Sequence, residues 1–562
     1  MSDKIKVFGL GGLDEKGKNL YIIEINEDIF VVEAGIKYPD RTLPGIDLII
    51  PDYKYLKENA HRVKAYIISH GHCEFMGAVP FLYKDVPAPI YCTKATQIAL
   101  EAYKRRNYRR NITLNYNIIG PSDDVTIAGY KFHFFQTAHS TIDSCGFALE
   151  TSYGSIVYTS EFIVEYNMHK NFKFDINKFA KIAEKNVLLL MSESNSAGNP
   201  GYTSPNNRLR PHLYRVLRES KGRTYISLFD KNIYGLMEVI NEAISSNKRI
   251  ILYNDFAKEI FDQLCECTPD FNPRLVIAST DDLLRMKEQD LIILIINQGE
   301  NIFNDISTLA RGEIDDKRFL VSPNDTFMIA CPPVSGLEIQ ATEAIDDVYK
   351  TGAKIVNLKR KDYAAPDARD EDLKTLLSLL KPKYYMPVIG QYVNLLANAK
   401  VAVNMGGIYN HTNVFIVDNG MIVNIEDGKA RISSDDKVHY GDLMVDGIGV
   451  GDVRTEVIND RQKLSDDGVI MLALAVSRSN KKIIAGPDVQ MRGFVFIKES
   501  ESVLKEVSHL FVDITLEFLR KEKSLEDAKL AIIDRCSRYV KKETGRNPVI
   551  APIIEDMDDI DS

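Results

Sequence analysis

The sequence predicts a layered α/β protein with an inserted α/β segment and a small α+β segment at its C-terminal end. Three observations predict it. Short apolar runs alternate with turns through the first 200 residues, and from about 206 helical patterns alternate with buried strand-length runs. Beyond about 454, three strand patterns accompany two long amphipathic helices near 502–520 and 525–543. A chain of 562 residues exceeds one domain's usual size, so two or three cores are expected.

The first strands are YIIEI at 21–25, IFVVEAG at 29–35, AYIISHGH at 65–72, KFHFFQTAHS at 131–140, SIVYTSE at 155–161 and NVLLLMSES at 186–194. Several end in a residue able to ligate or catalyse. Sites in layered α/β folds gather at strand ends, so His70, His72, His139, Glu161 and Glu193 are expected to converge, with Glu33 ending another strand. The insert spans 206–355, and 356–441 completes the first core through DEDLKTLLSLLKPKYYMPVIGQY. The Gly-rich DLMVDGIGVGDV reads as a linker over 442–453, followed by a C-terminal domain over 454–556 and an acidic, disordered tail over 557–562.

Charge and cysteine usage narrow the function. With 70 basic and 79 acidic residues the net charge is −9, which excludes gross attraction to nucleic acid and leaves only a local basic track. YKRRNYRR at 103–110 is the candidate: Arg105, Arg106, Arg109 and Arg110 interleave with aromatics and could follow an RNA backbone, against the plainer reading of a solvated helix end. Seven scattered cysteines suit a reducing cytoplasm, and the longest apolar runs are strand length, so a soluble cytoplasmic protein without membrane contact is expected.

The densest chemistry is Ser69-His70-Gly71-His72-Cys73-Glu74-Phe75. Two histidines two positions apart on a turn after a strand can face one cation. Cys73 reads as a small, partly buried thiol directed elsewhere.

Together LGGLDEKGKNLYIIE, VVEAGIKYPD, SHGHCEFMGAVP, TAHSTIDSCGF, SESNSAGNPGYT, LLKPKYYMPVIGQY and AGPDVQMRGFVFIKES resemble ribonuclease J, in the β-CASP group of the metallo-β-lactamase superfamily. The resemblance implies a metallo-β-lactamase αββα core, an inserted β-CASP domain and a C-terminal domain that supports oligomerisation. It also implies hydrolysis of RNA from the 5′ end and internally, with two zinc ions. Within the family the chain resembles the degenerate second paralogue of bacteria that carry two.

Carried over residue by residue, the family pattern implies an intact first metal site at His70, His72 and His139. The second site loses both imidazoles, at Phe75 and Ile389, and retains only Glu74 and Glu161 in place of aspartates. Glu33 replaces an aspartate that orients a ligand histidine, and each exchange lengthens a side chain enough to disturb coordination. Glu193 matches the β-CASP acid, as general acid or inert neighbour, with Tyr234 where a histidine partner belongs. The phosphate-gripping motif becomes Tyr363-Ala364-Ala365-Pro366-Asp367, and Asn297 stands where a phosphate-binding serine is expected.

The expectation is a ribonuclease J-like protein of RNA maturation and decay that binds at most one zinc. It would act as a weak or non-catalytic RNA-binding partner of an active ribonuclease J, in homo- or hetero-oligomers. The alternatives are an active exo- and endoribonuclease using the reduced site, and a free-standing RNA-binding scaffold.

Overall fold

The computed structural model describes residues 2–559 apart from Arg41, Arg109, Arg110, Asp270, Asn272, Ser335, Ile448, Arg454 and 494–500. Its contacts divide the chain into one unit of Met1–Lys37 and Ile49–Leu443 and a second of Tyr38–Leu48 and Met444–Ser562.

The first unit is built on two sheets. One has eight strands, with Ile5–Gly11, Leu20–Ile25, Asp28–Val32 and Val63–Ile67 at its centre; the other has six, including Tyr130–Gln136, Cys145–Thr151, Gly154–Tyr158, Val187–Ser192 and Tyr384–Pro387. Leu20–Ile25 and Asp28–Val32 form a hairpin turned at Asn26, whose φ of 56° asparagine tolerates better than most residues. The sheets face each other through aromatic side chains. Phe30 meets Phe132 at 5.2 Å between ring centroids, and Tyr21 meets Tyr158 at 5.9 Å. The strands are apolar on both faces because helices cover the outer sides. Phe135, Val157 and Leu190 belong to a second core shared with helices of the insert.

The insert is a five-stranded, all-parallel sheet in the order Arg249–Leu252, Leu291–Asn297, Thr224–Phe229, Thr326–Ile329, Lys354–Asn357. Parallel neighbours need crossover helices, which is why helix and strand patterns alternate here. Arg210–Glu219, Ile233–Ser245, Asp255–Cys267, Asn301–Arg311 and Glu338–Lys350 supply them.

In the second unit Val469–Ser477 pairs antiparallel with Lys482–Arg492 and parallel with Val549–Asp556. Helices Glu501–Arg520 and Leu525–Thr544 lay Val507, Phe511, Ile532 and Cys536 on Ile470, Leu472 and Val476. The apolar side chains named pack within the domain. The expected strand at GFVFIKES lies, beyond Gly493, outside the described residues.

Three boundaries differ from expectation. The 442–453 stretch contains a hairpin, with Val445 opposite Val450, because its glycines turn the chain without preventing pairing. Tyr38–Leu48 joins the second unit, where the Asp47 N–H donates to the Val445 carbonyl at 2.9 Å and the Arg461 guanidinium to the Gly45 carbonyl at 3.1 Å. In the expected acidic tail, Met557–Asp559 forms a short 3-10 turn held by Asp558, whose carboxylate accepts from the Ser477 hydroxyl at 2.9 Å; 560–562 lie outside the described residues.

Candidate metal centre

Strand ends from both sheets deliver the site. His70 follows Val63–Ile67, His139 follows Tyr130–Gln136, Glu161 follows Gly154–Tyr158, and Ile389 follows Tyr384–Pro387. His70, His72, His139 and Glu161 converge as expected, each with a donor atom within 4.8 Å of the others.

One carboxylate oxygen faces all three imidazoles. Glu161 Oε2 lies 3.1 Å from His139 Nε2, 3.4 Å from His70 Nε2 and 3.5 Å from His72 Nδ1, and the latter two histidine rings' neighbour, His139 Nε2, is 3.4 Å from His72 Nδ1. Four-coordinate zinc holds donors at about 2.0–2.1 Å, which separates neighbouring donors by about 3.3 Å. These four separations match edges of a zinc tetrahedron, and all four donors lie within 4.8 Å of one another. His70 Nε2 supports the fit independently, being buried without a hydrogen-bond partner.

The outer nitrogens are anchored. His70 Nδ1 lies 2.8 Å from the Ser69 hydroxyl and 3.3 Å from that of Ser160; His72 Nε2 faces the Lys231 carbonyl at 3.2 Å; His139 Nδ1 faces the Pro366 carbonyl at 3.1 Å. Such partners fix ring orientation and leave the inner nitrogen for a metal. Burial holds His70 down at about 3, so it is neutral, as a ligand must be. Burial of Glu161 is outweighed by the three histidines, which hold its carboxyl well below the ordinary range. At Glu161, then, the added methylene does not spoil the geometry: the carboxylate reaches all three imidazoles while Asn195 Nδ2 donates to its other oxygen at 2.8 Å.

Glu74 does not join them. Its carboxylate pairs with the Lys231 ammonium, and although burial would raise it, Lys231 holds it down at about 2. Cys73 Sγ donates to the other Glu74 oxygen at 3.2 Å. Phe75 lies against His70, ring centroids 4.3 Å apart, and shares a buried apolar cluster with Ile389. The positions expected to hold a second ion thus carry an internal ion pair and two apolar side chains.

Backbone shape around the centre is unusual. Glu33, Ser160 and Ile389 have φ of 63°, 57° and 58°, a left-handed conformation that is rare for a β-branched residue and costs about 1–3 kcal/mol. The Ile389 N–H donates to the Tyr21 hydroxyl and its carbonyl accepts from Ser194, both at 3.1 Å, which holds it there. Gly35 is needed for close approach: a Cβ there would stand 1.6 Å from the Glu74 carbonyl oxygen.

Other expected roles move. Glu33 does not orient a histidine directly; its carboxylate accepts from the Ser69 N–H at 3.2 Å, and Ser69 contacts His70. Burial pushes Glu33 up to about 8. Glu193 accepts from the Phe162 and Ala368 amides, each at 2.9 Å, and burial followed by the charges of Asp367 and Glu161 pushes its carboxyl well up. It braces the segments that carry Glu161 and Asp367. Burial and Glu161 raise Asp367 to about 6.

Tyr234 packs on Phe172 at 5.2 Å, and Tyr363 bonds Asn232. Asn297 donates to Asp305 at 2.9 Å, which occupies its amide. Arg106 pairs with Glu259 at 2.7 Å and lies over the Phe256 ring, while Arg105 stands 3.8 Å from the same carboxylate. Arg106, and more loosely the exposed Arg105, bridge the core to the insert's helix Asp255–Cys267. Arg109 and Arg110 lie outside the described residues. Lys231 and Ser160 are the participants that sequence reasoning missed; the only signal was a lysine two residues after the buried strand Thr224–Phe229.

The comparisons agree with this architecture. Residues 456–557 match the family model of the ribonuclease J C-terminal domain. The chain is 33% identical to ribonuclease J2 of Bacillus subtilis over 99% of each chain. It belongs to the ribonuclease J family. Ribonuclease J 2 of Staphylococcus epidermidis is 32% identical over 98% of each chain. Among solved structures, a protein of unknown function from Enterococcus faecalis V583 covers 75% of this chain and all of its own at a TM-score of 0.53 and 15% identity, a likeness of fold alone. For a ribonuclease J family member the two-sheet core is the metallo-β-lactamase fold, and its His and Glu group could hold a metal. Among the described residues no helix is long and apolar enough to cross a membrane.

Proposed function

We propose that this ribonuclease J family member acts in RNA maturation and decay in the cytoplasm as an RNA-binding protein with one metal ion and little or no nuclease activity. It would work in a homo- or hetero-oligomer with a catalytically complete ribonuclease J. The single observation that carries this reading is the four-donor centre. A catalytic zinc keeps an open position for water, whereas Glu161 supplies a fourth protein donor at that point. Zinc held there by four protein donors would be of the closed, structural type.

The surroundings favour the same reading. Cleavage of phosphodiesters by two metals needs a second cation about 3.5–4 Å from the first. Glu74, the acid left for that ion, is committed to Lys231. Asp367, at about 6, is largely ionised near neutrality and places negative charge where a phosphate would approach. Glu193, its carboxyl pushed well up by burial and bonded to two amides, serves to position rather than to transfer protons.

The test measures turnover of 5′-monophosphorylated RNA and zinc content on the same preparation, with and without a ribonuclease J that has an intact His-x-His-x-Asp-His motif. Slow or absent turnover, about one zinc and co-purification with that partner are expected. Brisk zinc-dependent turnover by the isolated protein, abolished in His72→Ala, overturns the reading in favour of an active ribonuclease. Failure to bind any such partner favours a free-standing scaffold.

A further inference from the structure

The insert carries a basic strip built from two segments far apart in sequence. Helix Arg210–Glu219 runs beside the turn after Lys354–Asn357, joined at three levels. The Ala364 N–H donates to the Asn206 carbonyl at 2.9 Å, His212 Nε2 lies 3.2 Å from the Asp362 carbonyl, and Lys354 pairs with Glu219 at 2.7 Å. On a helix, positions three and four apart share a face. Arg215 stands three after His212 and four before Glu219, so it lies on the face turned toward Lys359, Arg360 and Lys361.

All four of these side chains are exposed, and Arg218 extends the strip. The acids among them are engaged: Glu219 with Lys354, and Asp362 by accepting from the Lys359 N–H at 3.3 Å. In a chain of net charge −9 such a concentration of positive charge is local, as electrostatic capture of a polyanion requires. Tyr214, 48% exposed, lies beside it with the Arg218 guanidinium 4.1 Å from its ring centre. An aromatic beside phosphate-binding cations suits bases as well as phosphates, which favours a nucleic acid over an acidic protein.

The strip also leads to the metal centre. From Lys361 the chain passes Tyr363 and reaches Pro366, whose carbonyl faces His139. Five residues span at most about 18 Å.

We propose that this strip binds the backbone of single-stranded RNA extending from the metal centre, with Tyr214 stacking on a base. The inference rests on the reading of the protein as RNA-binding and assigns that binding to residues other than Arg105–Arg110.

The test uses the full chain and a labelled oligouridylate, followed by fluorescence anisotropy over a range of salt. One variant combines Arg215→Gln, Lys359→Gln and Lys361→Gln; a control with the same change of charge combines Lys131→Gln, Lys181→Gln and Lys429→Gln at exposed positions elsewhere. Single-strand binding changes in log–log salt slope by about 0.7 per phosphate contact. The strip variant is expected to bind about tenfold more weakly with a slope shallower by about 2, and the control to match the wild type. Tyr214→Leu is expected to weaken binding with the slope unchanged. An unaltered strip variant, or an equal loss in the control, overturns the inference while leaving RNA binding intact. Polyglutamate displacing the RNA at equal charge overturns it in favour of an acidic protein partner, and a wild type that binds no RNA overturns both it and the functional reading beneath it.

Discussion

The Lys231 ammonium pairs with the Glu74 carboxylate while the Lys231 carbonyl faces His72 Nε2 at 3.2 Å. One residue of the insert therefore does two things to the core: its carbonyl holds the ring of a candidate metal-ligand histidine, and its ammonium neutralises the Glu74 carboxylate. Removing one partner leaves a charge in a site built for two. Because Lys231 is more than a third exposed, Lys231→Met and Glu74→Gln should each cost about 1–2 kcal/mol, less than a fully buried pair. Their combination should cost less than the sum, as urea unfolding of the four proteins would read.

Zinc content should be about one ion per chain and fall to background in His139→Ala. Phe75→His with Ile389→His should leave it at one, because Glu74 stays paired. Adding Glu74→Asp and Lys231→Ala should raise it toward two, by elemental mass spectrometry on dialysed protein.

Gly35→Ala tests the packing beneath the histidine turn. Its Cβ would collide with the Glu74 carbonyl, and the Ala34 and Ile36 amides, bonded to the Phe75 and Cys73 carbonyls at 2.7 and 3.0 Å, resist displacement. A loss at the upper end of the about 1–3 kcal/mol typical of overpacking is expected, read as a lower urea midpoint at constant slope, together with reduced zinc retention.

Glu238 provides a pH test away from the metal centre. Burial raises its carboxyl to about 7, against which the Leu209 and Arg210 amides act by donating to it. A raised acid favours the folded state below its unfolded value of 4.5, and that contribution is lost as pH rises through 7. Across this window the native state should lose roughly 3 kcal/mol. In Glu238→Gln, whose one carbonyl oxygen can keep the shorter Leu209 amide bond and which does not titrate, thermal stability should change less between pH 5 and 8.

The layered fold and the three-histidine convergence were legible because strand period and strand-end chemistry are local properties of sequence. The insert was legible for the same reason, since parallel strands demand alternating helices. What sequence could not show was where long side chains go. Glu74 and Glu161 look alike as aspartate replacements, yet one reaches the imidazoles and the other turns to Lys231, over 150 positions away. Arg106 likewise reads as a free cation until Glu259 and Phe256 are placed beside it.

Ile389 holds a left-handed backbone that suits histidine, asparagine or aspartate far better than a β-branched residue. The family resemblance puts a histidine there. The Ile389 side chain lies in the apolar core while its backbone keeps a contour that suits a polar residue. A histidine placed at this position would meet a backbone already folded to receive it.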